Sequence, residues 1–230
     1  MPDKKKSPVL LVTAFEPFDG ASTNASLILL EKLQKLDWEG RVVFFGPVPV
    51  SFEDAWPTVK REMDKHPGLQ GVIALGQAEG RDNINLERLA LNWVETRTPD
   101  NDNFVPKKGK LDEKGPEVIW SGFPWQEMET SKLWSRSYSA GTYVCNALMY
   151  SLTDWAQSEG KTAGFVHVPL VKSQFGKGSD FTVLVPHMED EVALSGLCRM
   201  IEFALDRIDP RPDITPIPRQ KLKLPRPPAA

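Results

Sequence analysis

Pro8-Val9-Leu10-Leu11-Val12-Thr13 is a short apolar run, and the stretch that follows it at 25–36 changes period. In the first, apolar residues are consecutive, as in a strand buried on both faces. In the second, Leu29, Leu33 and Leu36 share one helical face while Glu31, Lys32 and Lys35 lie elsewhere. The alternation recurs down the chain. Further strands are predicted at 41–45, 72–75, 86–94, 164–168 and 182–185, and helices at 52–65, 144–155 and 188–208. Pro57 is expected to kink or restart its helix. Residues 99–125, rich in Pro, Gly, Asp and Lys, read as a long loop. Strand and helix in alternation predict an α/β fold with a mainly parallel sheet covered on both faces. In such sheets the chemistry collects at the carboxyl ends of the strands.

Composition narrows the function. The 28 basic and 31 acidic residues of the 230-residue chain leave a net charge of −3, which provides no basic footprint for nucleic acid. No window approaches the ~18 consecutive apolar residues of a membrane span, and the apolar run 9–12 behind the basic residues 4–6 is too short for a signal sequence. A cytoplasmic location is therefore expected, with no membrane partner. Two cysteines make neither a disulfide framework nor a zinc cluster, and no His/Cys/Asp/Glu spacing suggests a metal site. Seven of the 20 prolines fall in residues 210–230 beside five basic residues and Asp213 alone. One domain, 1–209, is thus expected, with 210–230 as a disordered, Pro-rich basic tail.

Three segments carry chemistry. Phe15-Glu16-Pro17-Phe18-Asp19-Gly20 follows the first strand, where its two aromatics either wall a small flat ligand or fill core. It lacks the glycines of a dinucleotide fingerprint and the Lys-Ser/Thr of a phosphate loop. Gly76-Gln77-Ala78-Glu79-Gly80-Arg81 follows the third predicted strand and leads to Glu87, set between Leu86 and Leu89. That carboxylate either pairs with a neighbour such as Arg88 or orients a histidine. Ser139-Ala140-Gly141 turns the chain sharply into a helix whose first turns hold Cys145, where the helix N-terminus favours a thiolate. His167 lies 22 residues further on, at the end of the next predicted strand. Thiol, imidazole and carboxylate from three strand ends are the plan of a cysteine hydrolase, although Cys145 equally suits a small core position.

Together the segments resemble the type I pyroglutamyl peptidases, or pyrrolidone-carboxylate peptidases, from about residue 9 to residue 208. The resemblance rests on Gly76, Ile84, Glu87, Arg88, Ala90 and Asn92; on Ser137, Ser139, Ala140, Gly141, Tyr143, Cys145 and Asn146; and on Gly164-Phe165-Val166-His167-Val168-Pro169. It implies an open α/β/α sandwich and a cytosolic cysteine peptidase, without cofactor, that removes N-terminal pyroglutamate from peptides. It further implies Cys145 as nucleophile, His167 as general base then acid, and Glu87 as the orienting carboxylate. Phe15 and Phe18 would sandwich the lactam ring, Asn24 and Gln77 would line its pocket, and Arg97 would serve the oxyanion region. The family holds monomers and tetramers, so a homo-oligomer is left open. Departures fall at Asp19 and Glu79, where the family has glycines, at Ala25 in the usual Asn-Pro-Ser turn, and at Thr98 after the arginine. Two alternatives follow: a thiol amidohydrolase for another small acyl or lactam substrate, or a weakly active binder of blocked N-termini.

Overall fold

The computed structural model describes residues 8–129, 131–175 and 185–210. Residues 182–184 of the strand predicted at 182–185, and the tail beyond Pro210, lie outside the described residues.

The opening run forms β1 (Leu10–Phe15), buried along its whole length. It lies between β2 (Val42–Val48) and β3 (Gly71–Gln77), parallel to both. A strand so flanked, with helices above and below, has no wet face, which is why its sequence does not alternate. The pleat still divides its side chains. Leu10, Val12 and Ala14 enter one core, Leu11 and Phe15 the other.

The first core holds α1 (Ala25–Leu33) and α4 (Asp190–Ile208); the second holds α2 (Ala55–Asp64) and α3 (Val144–Ser158). The Asn24 side chain caps α1, its Oδ1 accepting from Ser26 N at 2.9 Å and Ser26 Oγ at 2.7 Å. The helix ends short of the predicted Leu36, because residues 35 and 36 bond to carbonyls three back and Leu36 turns outward, 42% exposed. Pro57 neither kinks nor restarts α2. It sits in the first turn, where its missing N–H has no intrahelical partner to lose. No helix among the described residues is long and apolar enough to cross a membrane.

The stretch predicted as one strand at 86–94 is two. β4 (Ile84–Glu87) joins the main sheet, while β5 (Leu89–Leu91) pairs antiparallel with β6 (Val118–Trp120). Arg88 is the pivot. Its N–H donates to Ser137 O at 2.8 Å, and its carbonyl accepts from Ser121 N at 2.8 Å, so the chain leaves one ladder for the other. The supposed loop at 99–125 therefore contains a strand. It also seats Phe123 and Trp125 as a stacked pair, 5.0 Å between centroids, in the first core.

With β7 (Trp134–Ser137) and β8 (Thr162–Val168), the sheet has the order β2-β1-β3-β8-β4-β7. Among the described residues, only the β8–β4 pairing in this sheet is antiparallel. Two short strands, β9 (Leu170–Val171) and β10 (His187–Met188), pair outside it. This is the predicted mainly parallel α/β architecture. The carboxyl ends of β1, β3 and β8 meet the start of α3 along one edge.

Leu197 faces the first core from α4 and is 1% exposed. Leu197→Ala should lower stability by about 2–5 kcal/mol, seen as a lower urea midpoint with an unchanged slope.

Candidate active site

The pleat of β8 sends Val166 and Val168 toward α1 and α4, and Phe165 and His167 toward α3. Cys145 is the second residue of α3 and packs on that same side. Gly76 of β3 faces it from below. A Cβ there would lie 2.9 Å from the Phe165 ring and 3.2 Å from Cys145 Sγ, so only glycine leaves both side chains their places.

Glu87 arrives by a different route from the one its sequence position suggests. Because β4 runs antiparallel to β8, Glu87 does not come from a third strand end on the same edge. It stands opposite Phe165, diagonal to His167, while Asn85 stands directly opposite His167. His167 Nδ1 bonds to Glu87 Oε1 at 2.8 Å, and Arg81 Nη1 donates to the same oxygen at 2.8 Å. Glu87 has 0% exposure and His167 4%. The neighbour Arg88 is not the partner of Glu87: it lies over the rings of Trp120 and Tyr138, 5.1 Å from each. Arg81 was not singled out from the sequence, where only its place after a sheet strand hinted at the role.

Burial controls the protonation of the pair. The Cys145 thiol is pushed up to about 12, first by burial and then by the Glu87 charge; Arg81 and a backbone hydrogen bond oppose this. The backbone N–H at the start of α3 favours the thiolate, as expected, but burial outweighs it. Burial also holds His167 below the usual 6.5, and Arg81 adds to that, against the hydrogen bond and charge of Glu87. At neutral pH the site rests as a thiol beside a neutral imidazole with Nδ1 committed to Glu87, and Nε2 is the nitrogen left to act as base.

Both groups line one cavity of about 180 Å³. Phe15, Phe18, Val50, Ala140, Tyr143 and Val144 give it apolar walls, and Asn24 and Gln77 add amides. Asn24 is engaged within the protein: Oδ1 caps α1, and Nδ2 donates to Glu16 O at 2.9 Å. Gln77 Oε1 accepts from Ala25 N at 2.7 Å and Gln174 Nε2 at 2.9 Å, which leaves its amide N–H groups as the donors. Glu16 knots the walls together. Its Oε1 accepts from Val50 N at 3.0 Å and Asn101 Nδ2 at 2.7 Å, and Asn101 Nδ2 also reaches Pro17 O at 2.9 Å.

Seven of the eight residues expected at the site thus gather at or directly behind this cavity. Arg97 does not: it is exposed and outside the lining. Val50, Ala140, Tyr143 and Val144 line the cavity without having been named as site residues. Tyr143 had a signal, two residues before Cys145 in the turn into α3; Val50 comes from beyond β2 and had none.

The profile of the family described as pyroglutamyl peptidase matches residues 8–207. The chain belongs to the pyroglutamyl peptidase family. It is 34% identical over 174 residues to the pyrrolidone-carboxylate peptidase of Bacillus subtilis, covering 72% of this chain and 80% of that protein. For the Vibrio parahaemolyticus pyrrolidone-carboxylate peptidase, identity is 31% over 203 residues, with 86% and 92% covered. The structure of pyrrolidone carboxyl peptidase from Thermococcus litoralis superposes with a TM-score of 0.75 at 29% identity, covering 90% of this chain and 98% of that one. Asp19, where the family resemblance leads to the expectation of a glycine, takes the left-handed conformation, φ 52°. That geometry suits glycine, and aspartate is among the few other residues that enter it readily.

A buried neutral histidine makes stability depend on pH. The unfolded chain protonates His167 near pH 6.5 and the folded chain only below that, so stability falls as pH drops through 6.5 and is insensitive to this group above it. Urea midpoints at about pH 7.5 and about pH 5.5 should diverge more for wild type than for His167→Gln. Equal divergence would mean that the imidazole is not held neutral.

Proposed function

We propose that this protein removes N-terminal pyroglutamate from peptides, with Cys145 as nucleophile, His167 as base and then acid, and Glu87 as the group that orients the imidazole. The carrying observation is the small aromatic-walled cavity into which Cys145 and His167 open together, with His167 Nδ1 held by a fully buried carboxylate.

His167 Nε2 takes the thiol proton as Sγ attacks the carbonyl carbon that follows the lactam ring. The carbonyl π pair moves to oxygen. The Cys145 backbone N–H, at the positive end of α3, is the donor best placed for that oxyanion. Collapse breaks the C–N bond, and the departing amine takes the proton from His167. Water, deprotonated by His167, then cleaves the thioester and releases pyroglutamate and the free thiol. A thiol that starts protonated and a base that starts neutral are the pair this sequence requires. Arg97 is exposed and outside the cavity lining, and no step is assigned to it.

Specificity follows from what the cavity lacks. Pyroglutamate has no free α-amine, and no carboxylate lines the cavity among the described residues. An ordinary N-terminal ammonium would be buried there unpaired. Phe15 and Phe18 offer faces to the flat ring, and the Gln77 amide donates to its carbonyl. Every residue given a part lies before residue 209, so the proposal includes a catalytic body of 1–209 with 210–230 dispensable for turnover. Both cysteines are free, and a thiol nucleophile needs a reducing compartment, which supports the cytoplasm as the place of action.

Release of naphthylamine from pyroglutamyl-naphthylamide under reducing conditions tests the reading. Wild type should turn over, and Cys145→Ser and His167→Ala should each lose about 10³-fold or more in kcat. Prolyl-naphthylamide, with a similar ring but a charged amine, should react at least ~10²-fold more slowly. Rapid Cys145 alkylation without any release would instead indicate an amidohydrolase of another substrate.

A further inference from the structure

Arg81 has no part in the steps above, yet its guanidinium joins three pieces of the site. Nη1 donates to Glu87 Oε1 at 2.8 Å and to Asn85 Oδ1; Nη2 donates to Ser139 O at 3.3 Å. Glu87 and Asn85 are the β4 residues on the His167 side of the sheet. Ser139 belongs to the turn that enters α3, six residues before Cys145. One planar cation thus spans the carboxylate–imidazole pair and the approach to the thiol. Glu87 has 0% exposure, and its second oxygen has no hydrogen-bond partner among the described residues. The carboxylate therefore relies on the one oxygen shared by Arg81 and His167.

We propose that Arg81 is a positioning residue for the reaction: it balances the buried Glu87 charge and holds the carboxylate where it accepts from His167 Nδ1, while tying the turn before Cys145 to the same point. The inference rests on the proposed assignment of Glu87, His167 and Cys145. Arg81 itself touches no reacting atom. Its influence is geometric, through the fork that fixes Glu87 and Ser139 together, and electrostatic, since a cation at this spot favours thiolate at Cys145 and disfavours imidazolium at His167. Among the described residues, the titratable and charged groups facing His167 are Glu87 from β4, Arg81 from the loop after β3 and Cys145 from α3.

Removing the charge should therefore move the acid limb of activity upward. Arg81→Gln should lower kcat by roughly 10- to 100-fold, equivalent to one hydrogen bond to a charged group, with KM within about twofold of wild type. The acid limb of its kcat/KM profile should shift to higher pH. Arg81→Lys, which keeps the charge but not the fork, should lose kcat while its acid limb stays near the wild-type position. Arg88→Gln, one residue beyond Glu87 and stacked on Trp120 and Tyr138, is the control and should leave the profile unmoved. Mass-resolved alkylation by iodoacetamide reads the same effect without substrate. The Cys145 peptide should react more slowly in Arg81→Gln, with Cys198 as internal reference. Wild-type kcat in Arg81→Gln, or a loss equal at every pH with alkylation unchanged, overturns the proposal. If Arg81→Gln does not fold, Arg81→Lys decides: a wild-type kcat overturns it, and a lost kcat with an unmoved acid limb upholds it. Failure of wild type to release naphthylamine would count against the substrate, whereas the alkylation comparison would still judge Arg81.

Discussion

The Glu87 carboxylate is withdrawn from solvent, and it shares one oxygen between the imidazole of His167 and the guanidinium of Arg81. A lone carboxylate in such a place would lack the hydration its charge needs, and removing one partner of a buried pair leaves the other exposed to that deficit. Three elements must therefore agree in position: β4 for the carboxylate, β8 for the imidazole and the loop after β3 for the cation. The antiparallel pairing of β4 with β8 brings Glu87 diagonally across from His167. A parallel β4 would carry the two side chains along the same direction and change which positions oppose each other.

The remainder of the fold brings the Cys145 thiol to that pair. Parallel strands β1, β3 and β8 end on one edge, and α3 begins there, so Cys145 in its first turn reaches the cavity floor. Close packing sets the resting state. Gly76 admits the Phe165 ring under the thiol, and the same burial pushes the thiol up and the imidazole down. A neutral pair within apolar walls suits a neutral ring substrate, since neither partner presents a charge until the reaction begins.

Much of this was legible in the sequence, for physical reasons that also explain the gaps. Strands buried on both faces appear as unbroken apolar runs, as in β1, β3 and β8, and a long amphipathic helix such as α4 declares its face. Strand β7, Trp-Ser-Arg-Ser at the sheet edge, carries no such run because Trp134 alone in it is buried. The break at Arg88 was hidden because apolar residues continue on both sides, while the change of ladder is made by backbone hydrogen bonds. The meeting of Cys145, His167 and Glu87 at one place was signalled by motif and order. Arg81 and Val50 reach the site through loop paths that no local period encodes. Arg97 shows the converse: its sequence context matched, but it is exposed and outside the cavity lining.

A pyroglutamyl chloromethyl ketone, applied to the reduced full-length protein and followed by peptide mass mapping, tests chemistry and pocket together. One equivalent should attach to Cys145, faster than the prolyl analogue by about 10²-fold, and Cys145→Ser should remain unlabelled. Labelling at Cys198, or equal rates with the two reagents, would contradict the account.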